Sequence, residues 1–269
     1  MGVTKNAKSK LASTATASQR PITASTILRA LCAAANPEKA AGMRRFFKTG
    51  PGEYGEGDQF LGLPNPVLRA LLKEFKGAPV EEAWVLLKSP WHEIRLFGGL
   101  LLVERYRRGE EAEREHIFKA YLANAARFNN WDLVDLTAPD IVGAHLLARN
   151  RALLFQLAKR PVLWEQRIAM VATLTLIRNG DFDECLRLAE GFLSHPHDLM
   201  HKATGWMLRE VGKRNPGRLH AFLRCHAAQM PRTMLRYAIE HEPEEARQRW
   251  LQKGNVSRSP KSPAPRKTK

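Results

Sequence analysis

Cysteine is scarce in this chain of 269 residues, with Cys32, Cys185 and Cys225 the only three. They lie far apart with no C-x-x-C pair, which excludes a disulfide framework, an iron–sulfur site and a zinc ribbon. Each is expected to be a buried small hydrophobe. Long apolar runs are also missing. No stretch approaches the roughly 18 residues that a membrane-crossing helix needs. The first residues lack the apolar core of a secretory leader, so the expectation is a soluble globular protein of the cytosol or nucleoid with no membrane partner. Neither a G-x-S-x-G elbow nor an ordered Ser/His/Asp set occurs, which removes acyl-transfer hydrolysis. Gly55 and Gly57, in Tyr54-Gly-Glu-Gly-Asp, have no strand before them and no helix after them, as a phosphate loop requires. His195, His197 and His201 form H-x-H-x3-H, and His197 with His201 has the spacing of a metal pair. Only Asp198 could complete that set, and a solvated helix start explains it as well. No metal and no cofactor is expected.

Acidic residues are absent from both ends, and this says most about the charge. The net charge is +16, from 43 Lys and Arg against 27 Asp and Glu. Residues 1–25 carry Lys5, Lys8, Lys10 and Arg20, while residues 252–269 carry Lys253, Arg258, Lys261, Arg266, Lys267 and Lys269. The body between them is therefore only modestly basic. Fields of this sign attract polyanions, of which nucleic acid is the commonest. The end segments are rich in Ser, Thr, Ala, Pro and Lys and are expected to be disordered basic tails, leaving one folded domain over residues 26–251.

What the body contains is helix. Start signals stand at Asn36-Pro37, Pro64, Pro79, Pro90, Pro161 and Asn215-Pro216. The stretches 94–106, 168–177 and 203–211 are apolar with helical spacing and too rich in Ala, Leu and Glu for sheet. The pattern predicts an all-α body of roughly a dozen helices. A weak internal period also emerges. Arg95, Asp132, Arg167 and Lys202 each lead an apolar helix and recur at intervals close to the length of a helix pair. This predicts an α-solenoid of HEAT-like repeats, in which equivalent positions converge on one concave basic groove. Arg95, Trp131, Asp135, Arg167 and Lys202 are expected to meet there. A chance alignment in a helical protein is the other reading of the period.

The segment Asn129-Asn130-Trp131-Asp132-Leu133-Val134-Asp135 carries the most chemistry. If it opens a helix, Trp131 and Asp135 share one face and Asp132 can serve the helix start. A carboxylate beside an aromatic plane suits a cationic transition state. Taken singly, Trp131, Trp164 and Trp206 are also good core packers, and Asp135 could simply be an ion-paired acid, bonded to Arg167 one repeat on.

Together these residues resemble the AlkD-type alkylpurine DNA glycosylases of the DNA alkylation repair family. The resemblance spans about residues 26–250. It runs through Asn36-Pro-Glu-Lys-Ala, Gly42-Met-Arg-Arg-Phe-Phe-Lys-Thr, Phe60-Leu-Gly-Leu-Pro and His92-Glu-Ile-Arg. It is sharpest in Asn130-Trp-Asp-Leu-Val-Asp, Trp164-Glu-Gln-Arg and Lys202-Ala-Thr-Gly-Trp-Met-Leu-Arg-Glu-Val-Gly-Lys. It implies a HEAT-like solenoid that grips double-stranded DNA and removes N3- or N7-alkylated purines without flipping the base, and since such a groove needs only one chain, a monomer is expected. By the same resemblance Asp135 is the catalytic carboxylate, Trp131 and Trp206 cradle the deoxyribose, and Arg167 supports the acid. Asn130 departs from the pattern, since relatives carry a second Trp there. Lys202, Arg95, Arg209, Lys213, Arg214 and Trp164 are the expected DNA contacts. Two rival readings use the same helices: a non-catalytic solenoid that binds distorted duplex, and a protein-interaction scaffold.

Overall fold

The computed structural model describes residues 21–256, and within them the protein is all-helical. The chain runs through α1 (Ala24–Ala33), α2 (Pro37–Phe46), α3 (Asn65–Phe75), α4 (Val80–Leu86), α5 (His92–Arg108) and α6 (Glu111–Ala123). There follow α7 (Trp131–Asp135), a π turn (Pro139–Gly143), α8 (Ala144–Leu146), α9 (Ala152–Ala158) and α10 (Leu163–Arg178). The remainder is α11 (Asp183–Gly191), α12 (Asp198–Arg214), α13 (Pro216–His226), α14 (Arg232–Ala238) and α15 (Glu244–Val256). Strand pairing among the described residues is limited to one isolated parallel bridge between Gln59 and Trp91.

The helices begin where local chemistry starts them. Asn36 and Asn215 accept hydrogen bonds from the backbone N–H of Lys39 and Arg218, and each is followed by a proline whose missing N–H costs nothing in a first turn. Pro64 and Pro79 stand directly before α3 and α4, and Pro90 and Pro161 stand two residues before α5 and α10. The apolar stretches anticipated at 94–106, 168–177 and 203–211 lie inside α5, α10 and α12.

Two layers of helices result. Consecutive members of the series α5, α7 with its π turn, α10, α12 and α14 pack on one another, and α4, α6, α9, α11 and α13 back them. This is a solenoid-like stack, and Arg95, Asp132, Arg167 and Lys202 fall near the starts of successive inner helices. α5 and α10 are buried around most of their circumference, so they lack the polar face of a surface helix. Close approach of α12 to α14 depends on Gly205, where a Cβ would stand 2.5 Å from the Met234 carbonyl oxygen. Trp206, the next residue of α12, is partly buried against the core.

Two expectations change. Cys185 is buried, but Cys32 and Cys225 are exposed. Both sit off the apolar stripes of their helices, which are Ala24, Ile27 and Leu31 in α1 and Leu219, Phe222 and Leu223 in α13. Helix also enters both segments assigned to tails, since α1 starts at Ala24 and α15 runs to Val256. The remaining tail residues, 1–20 and 257–269, lie outside the described residues.

Candidate active site

The short helix α7 is set by its cap. Buried Asn130 is extended, and its side-chain oxygen accepts from the Trp131 N–H at 2.8 Å. One turn then carries Trp131 and Asp135 four residues apart, and both reach the same two clefts. Asp132 accepts from the Leu133 N–H at 3.0 Å, as a helix-start acid does.

Asp135 meets Arg167 of α10 in a bidentate pair. Arg167 Nε donates to Oδ1 and Nη2 to Oδ2, both at 2.8 Å, while Nη1 donates to the Leu199 carbonyl at 2.7 Å. The guanidinium is buried and the carboxylate is 14% exposed. The planar fork fixes the acid more rigidly than an ammonium could. Burial raises the Asp135 pKa, the Arg167 charge and hydrogen bonds lower it, and the balance leaves it above the ordinary aspartate value.

Two clefts open beside this carboxylate. One, of about 740 Å³, is lined by Met43, Phe46, Phe47, Leu96, Trp131 and Trp206 among others and is mainly apolar. The second, of about 700 Å³, is lined by Lys48, Tyr54, Arg167, Lys202, Arg209 and Tyr237 with neighbours. Phe46, Trp131, Asp135 and Trp206 belong to both, so the acid and two indoles stand on the partition between them. The Phe46 ring is 66% exposed and meets Trp131 edge-on, with centroids 5.8 Å apart.

Of the expected site residues, Trp131, Asp135, Arg167, Lys202, Trp206 and Arg209 therefore gather in one cleft. Lys202 pairs there with Asp198 at 2.9 Å, and Arg209 pairs with Glu240. Trp164 is not in its wall but touches the Tyr54 ring, centroids 6.5 Å apart. Lys213 and Arg214 pair with Glu210 beyond both clefts. Arg95 is drawn inward instead, where it bonds Asp58 and the carbonyls of Ser89 and Pro90 and borders a separate hollow of about 390 Å³. Being the fourth residue of a helix buried nearly all round, it has no route to the groove. The three histidines serve their loop: His195 bonds Gln166, His197 caps α12 and His201 reaches the His195 carbonyl.

Sequence reasoning missed Phe46, Lys48 and Tyr54. The run Arg44-Arg45-Phe46-Phe47-Lys48, aromatic rings between cations, was the available signal. It also missed a buried network behind α7. His92 Nδ1 lies 2.9 Å from Asp58 Oδ2 and Nε2 lies 2.9 Å from Asp132 Oδ2. Asn130 Nδ2 donates to Asp58 at 3.3 Å. Neighbouring Glu93 accepts from the N–H groups of Leu61, Gly62 and Leu63, at 2.9, 2.8 and 3.1 Å. Gly62 is required there, with φ of +82° and only 2.0 Å between a hypothetical Cβ and the Asn36 carbonyl.

Comparison with curated proteins gives no match. Among solved structures the chain is similar to one described as a predicted DNA alkylation repair enzyme from Enterococcus faecalis, with a TM-score of 0.61 and 22% identity. The alignment covers 78% of this chain and 97% of that one, and at this identity it speaks for the fold. The sequence model for the family described as DNA alkylation repair enzyme matches residues 27–241, from the middle of α1 to the turn after α14. The whole stack that carries Asp135, Arg167 and the two indoles thus falls within the match, and the chain belongs to the DNA alkylation repair enzyme family.

Proposed function

We propose that this protein is a monofunctional alkylpurine DNA N-glycosylase that hydrolyses the glycosidic bond of N3- or N7-alkylated purines in duplex DNA. Membership of an alkylation repair family supplies the damage class. The observation that carries the reading is the Asp135 carboxylate, locked by Arg167, on a partition shared with Trp131 and Trp206.

A purine alkylated at N3 or N7 is already cationic. It departs as a neutral base, so the reaction needs neither a general acid nor a metal or organic cofactor to activate the leaving group. The barrier lies in the sugar, where positive charge builds at C1′ as the bond stretches. Only groups that bind this charge better than the ground state accelerate the step. Asp135 supplies a fixed negative charge in a largely dehydrated place. Each of its oxygens gives one lone pair to Arg167 and keeps another, with which it orients the attacking water. The faces of Trp131 and Trp206 add cation–π attraction, on the order of 1 kcal/mol each. Arg167 holds the acid in place, and Lys202, Arg209 and Lys48 take the flanking phosphates. The carboxylate sits on a partition between open clefts, which suits gripping a deoxyribose from outside while its base stays stacked. We assign HEAT-like repeats, action as a monomer and a place in the nucleoid to the same reading.

The test is release of 7-methylguanine from a single-lesion duplex under single-turnover conditions, by the protein and by Asp135→Asn. Release that the variant loses supports the assignment. Tight duplex binding with no release of 7-methylguanine or 3-methyladenine from either protein would replace it with the non-catalytic DNA-binding reading.

A further inference from the structure

We infer that His92, a residue that touches neither Arg167 nor Asp135 through any hydrogen bond, positions the Trp131 indole from behind by joining two carboxylates to a stack of aromatic rings. This rests on the glycosylase reading for its kinetic consequence, though not for its geometry.

Three tethers converge on α7 from this one imidazole. The first is ionic. Both ring nitrogens of His92 lie 2.9 Å from a carboxylate oxygen, Nδ1 from Asp58 and Nε2 from Asp132. A neutral imidazole has a single N–H, whereas two carboxylate acceptors demand two, so this geometry fits the imidazolium. Asp132 directly follows Trp131 in the chain, so the Nε2 bond fixes the turn that carries the indole. The second tether runs through Asp58, which also accepts from Asn130, and Asn130 caps the Trp131 N–H. The third is aromatic. Trp131 stacks on Phe47 with centroids 5.2 Å apart and planes inclined by 17°. Phe47 stacks on Phe60 at 5.0 Å and 22°, and Phe60 on His92 at 4.6 Å and 22°. Phe47 stacks against the indole from the side of this network, and Trp131 also lines both clefts.

The network is charge-balanced. His92 and Arg95 carry two positive charges, Asp58 and Asp132 two negative ones, and all four groups are buried. Well-packed apolar residues would serve a core at least as well as such a set, so stability alone is a weak reason to keep it. Directional bonds hold a ring to an angle in a way that apolar packing does not, and a cation–π contact depends on that angle. His92 is therefore a positioning residue, and its effect on the reaction passes through Trp131.

The experiment is a double-mutant cycle combined with a spectroscopic readout. His92→Gln and Asp58→Asn are made in the full chain and in a Trp131→Ala background, and single-turnover release of 7-methylguanine is measured at saturating protein. Release should slow by about tenfold or more in the first background, because small displacements of a positioned group have effects of that order. In Trp131→Ala the same substitutions should change the rate by less than about twofold, the non-additivity expected of residues acting as a unit. Duplex affinity should stay within about twofold throughout, since the phosphate contacts lie elsewhere. The free proteins, labelled with 15N-tryptophan, should show the Trp131 indole N–H signal shifted or broadened by either substitution, with the signals of Trp84 and Trp250 unmoved. Equal rate losses with and without Trp131, or an unshifted Trp131 signal, would overturn the inference. If the protein releases no alkylated base at all, the glycosylase reading fails, while the indole signal still decides what His92 does. Should His92→Gln not fold, Asp58→Asn carries the same comparison.

Discussion

Asp135 and Arg167 are joined by two hydrogen bonds of equal length, Nε to Oδ1 and Nη2 to Oδ2 at 2.8 Å, although they lie 32 positions apart in the chain. The pair spans α7 and α10, and a third bond from Arg167 to the Leu199 carbonyl carries the connection on to α12. Three inner helices are thus tied at the acid on which the proposed chemistry turns.

Asp135→Asn keeps the side-chain shape and one acceptor for Arg167 but removes the charge. Single-turnover base release should fall by a factor on the order of 10² to 10³, the usual loss when one electrostatic stabiliser of a transition state is removed. Duplex affinity measured by anisotropy should be little changed, because the cationic contacts remain. A rate within about threefold of the parent would remove Asp135 from the mechanism.

The pH dependence follows from the raised pKa of Asp135. In the proposed mechanism the ionised acid is the active form, so base release should fall as pH drops, with a midpoint above the ordinary aspartate value of about 3.9. The stability effect has the opposite sense. A carboxyl whose folded pKa lies above its unfolded one loses stabilisation as pH rises from the unfolded value through the folded one. The acid limb of the rate profile, corrected for spontaneous depurination, checks the first statement.

His92 sets an alkaline limit. Burial by itself would lower its pKa, but the bonds to Asp132 and Asp58 outweigh burial and raise it to about 9 from 6.5. Asp58, Asp132 and Arg95 are the charged groups bonded within this network. A raised histidine pKa stabilises the fold fully below about 6.5, and that contribution is lost as pH climbs through about 9, with an amplitude on the order of 3 kcal/mol. Urea midpoints of the protein should therefore decline between these values, and those of His92→Gln should not show this decline.

Binding to duplex DNA should weaken steeply with salt, by close to one unit of log–log slope for each phosphate neutralised. Lys202→Ala should lower the slope by about one unit, since its ammonium lies in the cleft and is 41% exposed. Arg95→Ala should leave the slope unchanged, since that guanidinium is spent on Asp58 and two carbonyls. A salt-independent affinity would contradict the electrostatic account.

The ends of the chain can be tested separately. Removing residues 1–20 and 257–269 takes away Lys5, Lys8, Lys10, Arg20, Arg258, Lys261, Arg266, Lys267 and Lys269 while sparing α1 and α15. Duplex affinity at low salt should drop, and single-turnover release from saturated complex should stay within about twofold, because no group of the proposed mechanism is lost. A large fall in that rate would give the tails a part in the chemistry.

By itself the sequence determined the helices, and with them the fold class. Prolines and asparagines at helix starts act within a few residues, and apolar periodicity is local, so Pro64, Asn215 and the stretch 94–106 could be read without a structure. It also determined that Trp131 and Asp135 share a face, because four residues is one helical turn, and the repeat spacing placed Arg167 within reach of the acid. Only the tertiary structure decided what stands around them. Which way Arg95 turns depends on α5 being enclosed on nearly all sides, and whether Cys32 and Cys225 are covered depends on which faces of α1 and α13 meet the stack. The link from His92 to Asp58 and Asp132 joins residues 34 and 40 positions apart, and no local periodicity encodes it. Those contacts form because a charge in a dehydrated interior must find its partners there, wherever in the chain they lie.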